Sequence, residues 1–242
     1  MSDVIPDSHP VAVELLLAVR GGDVGTVKRL LSEHPGLPGW RIGKPDGFRT
    51  PLHMVADWPG YFPRGPEIAR LLIAAGADPS GPDAQGPSET PLHWAASSDD
   101  VAVAAVLIDG GADIEAPSAG PIAGPPLVNA VAYGCWQVAQ LLVARGARIG
   151  SLWQAAALGD QARVDEFLSA DPAPSQQDLD EAFWQACHGG QRRMAEYLLD
   201  RGAHIDATPD YSDTPPVRVA GEPDTMRSAL VTWLKERGAR EE

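Results

Sequence analysis

The chain has 242 residues, 44% of them hydrophobic, which is enough to bury a core and too many for a disordered segment. Its 33 acidic side chains against 19 basic ones leave a formal charge of −14, and a field of that sign repels phosphate backbones and anionic lipid heads. Neither nucleic acid nor a membrane is therefore an expected partner. The apolar runs, such as residues 15–19, fall far short of the roughly 20 residues that span a bilayer, and the start Met1-Ser2-Asp3-Val4 lacks the basic region of an export signal. Two cysteines, Cys135 and Cys187, are too few for a disulfide framework or a thiolate metal cage, which suits a cytoplasmic chain.

In chain order, residues 12–20 and 24–33 read as two short helices separated by Gly22-Asp23. Thr50-Pro51-Leu52-His53 opens the next pair, because threonine caps a helix and proline in the first turn has no amide to waste. That pair carries an insertion of about five residues at 57–66, where Trp58, Tyr61 and Phe62 are bracketed by Pro59, Pro63 and Pro66. Residues 83–115 form the cleanest unit: Thr90-Pro91-Leu92-His93 starts it, Ala95 and Ala96 allow close approach, and Val103, Val106 and Leu107 give a helical face. Gly111 then ends the unit with a residue that tolerates positive φ. The unit at 116–149 carries a long apolar hairpin at 117–126, and three further units follow at 151–174, 177–205 and 206–240, the last ending in a helix at 226–235.

Gly-Ala pairs stand at 76/77, 111/112, 146/147, 202/203 and 238/239, at intervals of 35, 35, 56 and 36 residues. With the two Thr-Pro-Leu-His tetrapeptides and the degraded Pro126-Leu127-Val128 and Thr214-Pro215-Pro216-Val217, the pattern resembles the ankyrin repeat over roughly residues 10–240. The resemblance implies an all-α solenoid of about seven helix-turn-helix units. The long interval marks a restart, because Leu15, Gly22, Asp23, Leu31, Ser32 and Pro35 recur 137 residues later as Leu152, Gly159, Asp160, Leu168, Ser169 and Pro172. A tail at 1–9, repeats one to four at 10–149 and repeats five to seven with a C-terminal cap at 150–240 are thus expected, with a change of curvature near Gly150. Richness in Ala, Gly, Arg and Pro fits a bacterial chain.

In such a repeat, function lies on the surface of the stack, because interior residues are committed to their neighbours. The resemblance implies that the residue after the Leu-His pair faces a concave groove. The expected binding row is therefore Met54, Trp94, Asn129, Gln154 and Gln185, flanked by Asp57, Trp58, Tyr61, Tyr133 and His188. Aromatic anchors with orienting amides suit recognition of a protein, and the net charge favours a basic one. His53 and His93 occupy one position in successive repeats, about 10 Å apart by helix spacing, too far to share a metal ion. The resemblance gives them a structural role instead, bridging hairpin and helix.

No phosphate loop, nucleophile elbow or zinc-binding helix occurs, so neither cofactor nor metal is expected. Residues 78–89 imitate a calcium loop only partly, with Pro82 where a ligand is wanted. The expected function is a non-catalytic, monomeric protein-interaction scaffold. The competing expectation is a small-molecule site or enzyme whose pocket is closed by the 57–66 insertion and the 117–127 hairpin, with Asp57 and His188 as acid and base.

Overall fold

The computed structural model describes residues 4–44, 47–84, 88–221 and 227–241. Among them, fourteen helices pair into seven helix-turn-helix repeats, distributed over two compact bodies divided in the sequence between Arg148 and Ile149. The N-terminal body holds α1 (Pro10–Gly21), α2 (Val24–Glu33), α3 (Pro51–Ala56), α4 (Gly65–Ala74), α5 (Pro91–Ser97), α6 (Val101–Asp109), α7 (Pro126–Ala132) and α8 (Trp136–Ala144). There α1, α3, α5 and α7 pack in sequence as an inner row and α2, α4, α6 and α8 as an outer one. The C-terminal body holds α9 (Leu152–Leu158), α10 (Gln161–Leu168), α11 (Gln176–His188), α12 (Arg192–Leu199), α13 (Pro216–Val219) and α14 (Ser228–Glu236). Its inner row is α9, α11 and α13. The expected final helix at 226–235 thus starts at Ser228; Met226 lies outside the described residues.

Local chemistry sets each boundary. At α3 and α5 the threonine at the N-cap and the histidine three residues on form reciprocal caps, with proline at the first helical position. Asp23, Asp100 and Asp160 each cap an outer helix by accepting the backbone N–H three residues later, at 3.0 Å in all three. The five Gly-Ala pairs close helices in one way. Each glycine has φ between 92° and 100°, and the alanine N–H reaches back to a leucine carbonyl, as Ala77 does to Leu72 at 2.9 Å and Ala203 to Leu198 at 3.1 Å. A Cβ at any of these glycines would meet open space, so the left-handed backbone and not crowding selects glycine.

The core of the N-terminal body is a continuous aliphatic seam. Leu15, Leu52, Leu92 and Leu127 on the inner row and Val27, Ile68, Leu107 and Leu142 on the outer are all buried to 1% or less. The register between repeats one and five extends to conformation: Gly22 and Gly159 are both left-handed, at φ 68° and 72°. One feature departs from a purely helical reading, a three-stranded sheet in the order β1 (Val4–Ile5), β2 (Arg41–Lys44), β3 (Gly47–Arg49). β2 and β3 are the two sides of the first finger, and β1, from the N-terminal tail, pairs parallel to β2 with Val4 opposite Arg41.

Candidate interaction surface

The fingers are fixed to the helices through buried side chains. His53 Nδ1 accepts the Thr50 N–H at 3.1 Å, which leaves Nε2 to donate to the Glu89 carbonyl of the next finger at 3.2 Å. His93 repeats this between Thr90 at 3.1 Å and Gly124 at 3.1 Å. Both rings are fully buried, and burial pushes His53 down to about 3 and lowers His93. This is the bridging role that the resemblance implied.

On that frame the 57–66 insertion is held firmly and still presents an aromatic. The Tyr61 N–H donates to Asp100 Oδ2 at 2.7 Å, and the Tyr61 hydroxyl donates to the Asp99 carbonyl. Asp100 is 1% exposed and caps α6 with its other oxygen, so one buried carboxylate ties the loop to repeat three. Asp99 in turn accepts from the Val138 N–H at 2.9 Å, linking repeat four. Gly60 lies close against Ser98 and Asp100. Trp58 nevertheless remains 77% exposed, with Tyr61 at 58% and Tyr133, on the equivalent turn two repeats on, at 53%. The insertion is therefore both a strap across repeat three and a mount for Trp58.

At the other end of the same inner helices, a recess of about 490 Å³ lies between the first finger and Asp83–Ala84, walled by Ile42, Phe48, Arg49 and Trp94 with Asp7 at its rim. Trp94 is half-buried, its ring edge-on to His53 at 4.9 Å. Arg49 is neutralised by Asp7 at 3.3 Å and Asp57 at 3.8 Å, and Asp57 also meets Arg20 at 3.5 Å. Asp57 is thus committed to ion pairs.

The rest of the expected row is corrected. Met54, Asn129, Gln154 and Gln185 are only 1%, 1%, 2% and 3% exposed, so none projects into a groove. Their amides are used internally. Asn129 Nδ2 donates to Glu89 Oε1 at 3.0 Å, Gln154 Oε1 accepts the Gly150 N–H at 2.9 Å, and Gln185 Nε2 donates to the Tyr211 hydroxyl at 3.0 Å. The position is shared with Trp94, but neighbours cover these four side chains, whereas Leu17 at the same position of the first repeat is 65% exposed. With Met54 enclosed, the pocket of the competing reading loses one of its walls. His188 is half-buried beside Trp184 at 5.3 Å between ring centroids, and burial, with Arg227 nearby, lowers it to about 4. Burial also raises Cys135 to about 11 and Cys187 further, so both thiols stay protonated. Among the described residues no group of three or more metal-ligating side chains gathers, and no helix is long and apolar enough to cross a membrane.

The family described as ankyrin repeats, in three copies, matches residues 15–118 and 61–151, together more than half of the chain. The chain belongs to that family. Among solved structures it is similar to the human ASB11 ankyrin repeat domain, with a TM-score of 0.54 and 19% identity over 91% of this chain and 96% of that one, a likeness of fold alone. No curated protein matches.

Within this ankyrin-repeat fold, sequence reading missed the side chains that support the surface. Asp99 and Asp100 went unread as the strap's anchor, because Tyr61 lies 38 and 39 residues away. Phe48 and Asp7 on the recess, and the 62% exposed Tyr211 in the C-terminal body, carried no motif.

Proposed function

We propose that this chain is a non-catalytic, monomeric and cytoplasmic scaffold that holds a basic protein partner along the fingers and inner helices of its N-terminal body. The contact residues in this reading are Trp58, Tyr61, Trp94 and Tyr133. Asp57 tunes the local charge, while Met54, Asn129, Gln154 and Gln185 support the wall from inside. One observation carries it: Trp58 is 77% exposed on a loop whose backbone is fixed through the buried Asp100. Such an aromatic loses little conformational freedom on binding, which is the usual character of an interface anchor. The surplus of acid, −14 over the chain, steers a basic partner by long-range attraction.

The test is affinity isolation with the intact chain against a Trp58→Ala variant. Trp58 is 77% exposed, so the melting temperature should stay unchanged while affinity for the retained polypeptide falls by about tenfold or more. Binding should also weaken between roughly 50 and 150 mM salt. The reading fails if no polypeptide is retained, or if Trp58→Ala and Trp94→Ala both bind as the parent does.

A further inference from the structure

The C-terminal body holds a second cavity, of about 290 Å³, that the proposed surface does not use. Its walls come from the start of α9, the end of α10, the proline-rich turn after it and the first two turns of α11. Trp153 and Phe167 supply aromatic rings, Pro172 and Pro174 a stiff apolar rim, and Asp178 and Glu181 two carboxylates. No lysine or arginine is among the lining residues.

The two acids differ in state. Asp178 accepts from the Ser175 N–H at 2.8 Å and hydroxyl at 2.7 Å, which holds its carboxyl below the usual range and keeps it charged. Glu181 is half-buried and takes one hydrogen bond, from the Tyr211 hydroxyl at 3.0 Å. Burial raises its carboxyl, the Tyr211 bond opposes that, and Asp178 and Asp210 add repulsion. Among the described residues neither Asp178 nor Glu181 forms an ion pair. Asp178 is exposed and partnered by Ser175 at the N-terminus of α11, whereas the half-buried Glu181 holds its charge beside apolar walls with one hydrogen bond, an arrangement that an entering cation relieves.

The ring at the cavity wall already binds such a group from within the chain. The Arg163 guanidinium stacks over Phe167, 4.5 Å from its centroid, while pairing with Glu166 and donating to the Ile149 carbonyl at 3.0 Å. Arg163 is thus occupied by partners of its own and leaves the two cavity acids without a counter-charge. An aliphatic stem suits the Leu152, Pro172 and Pro174 walls, and a cationic head suits carboxylates beside an indole face.

We propose that this cavity receives the lysine or arginine side chain of a polypeptide, with Glu181, Asp178 and the Trp153 indole at the cation and Leu152, Pro172 and Pro174 along its stem. The proposal goes beyond the N-terminal surface and stands on separate residues, so either can fail alone.

The experiment follows the indole N–H signal of Trp153, assigned with Trp153→Phe, in the full chain. The probes are blocked arginine and lysine amides and, as uncharged counterparts, blocked citrulline and norleucine amides. Saturable shifts with the two cations, with the uncharged probes at least roughly fivefold weaker, are expected. Glu181→Gln should weaken the cations by about the same factor and leave the uncharged probes unaffected, and Trp58→Ala should change none of these. A Trp153→Leu variant repeats the comparison through backbone signals of Asp178, in case the Glu181 substitution disturbs Tyr211. Equal binding of citrulline and arginine, or no saturable shift at Trp153, overturns the proposal. Tighter binding of a free polyamine than of a lysine-containing peptide of equal charge overturns the polypeptide as occupant.

Discussion

The two bodies solve one structural problem with different side chains. In the N-terminal body the finger carbonyls of Glu89 and Gly124 are held by imidazoles, His53 at 3.2 Å and His93 at 3.1 Å. In the C-terminal body the equivalent carbonyl, that of Thr214, is held by the indole N–H of Trp184 at 2.7 Å. Each carbonyl belongs to the residue just before the N-cap of the next inner helix: Thr90, Pro125 and Pro215. An imidazole has a second nitrogen that caps its own helix, so His53 and His93 sit three residues after the N-cap. An indole has none. Trp184 accordingly lies nine residues into α11, which is capped by Ser175 and Asp178 and runs to 13 residues. The bridge to the next finger is what the geometry retains, and the capping function moves elsewhere when the residue changes.

This contrast predicts unequal costs. His93→Ala removes the donor to Gly124, the acceptor for the Thr90 N–H and the ring that fills a fully buried site. We expect it to cost about 3–5 kcal/mol, lost from the N-terminal body. Trp184→Phe keeps most of the ring and removes one donor, so about 1–2 kcal/mol should be lost from the C-terminal body. Hydrogen exchange read separately on peptides of α5–α7 and α11–α13 measures both. Equal losses would mean that the indole bridge carries as much as the two-sided imidazole, and the contrast would be broken.

Acid separates the bodies next. His53 is held to about 3 by burial, against an ordinary value near 6.5, and His93 is lowered for the same reason. Between those limits the unfolded chain takes up a proton that the folded chain refuses. The stability is therefore complete above about 6.5 and is lost as pH falls, by up to about 1.4 kcal/mol per pH unit for His53 alone. His188 gives the C-terminal body one such group, lowered to about 4, and Glu181, raised by burial, works in the opposite sense. From pH 6.5 to 5.5, above the range where the lowered carboxylates titrate, the N-terminal body, with two lowered imidazoles against one, should lose stability more steeply. Exchange protection corrected for intrinsic rates tests this. Parallel losses would show that one of the two buried imidazoles is already charged in the fold.

The same comparison shows what a reader of the sequence can and cannot see. Thr-Pro-Leu-His and Gly-Ala are visible because each acts within six residues: a cap and its N3 partner, or a left-handed glycine and the carbonyl five back. The bridge by Trp184 was invisible, since nothing in one tryptophan announces a carbonyl 30 residues away. Met54, Asn129, Gln154 and Gln185 share the position of Trp94, and their burial is decided by the finger and helix packed above, a tertiary property that position alone does not carry. β1 stayed hidden because two residues show no alternation and their partners start at Arg41. The aromatics of the 57–66 loop were legible as a cluster, but their division into a strap, Tyr61, and a presented ring, Trp58, depends on Asp99 and Asp100 in the next repeat.

The smallest expected effect asks whether the bodies differ in anything besides the bridges. Gly76 in the N-terminal body and Gly202 in the C-terminal one close their helices at φ 100° and 95°, with no atom near enough to touch an added Cβ. The alanine after each bonds a leucine carbonyl five residues back, at 2.9 and 3.1 Å. Substitution by alanine therefore imposes only the cost of a left-handed backbone, about 1 kcal/mol, with no steric component to vary with surroundings. Gly76→Ala and Gly202→Ala should lower stability equally in chemical denaturation. If one costs much more than the other, the helix ends are not interchangeable, and the difference assigned to the His and Trp bridges would have to be shared with the turns that lead out of each repeat.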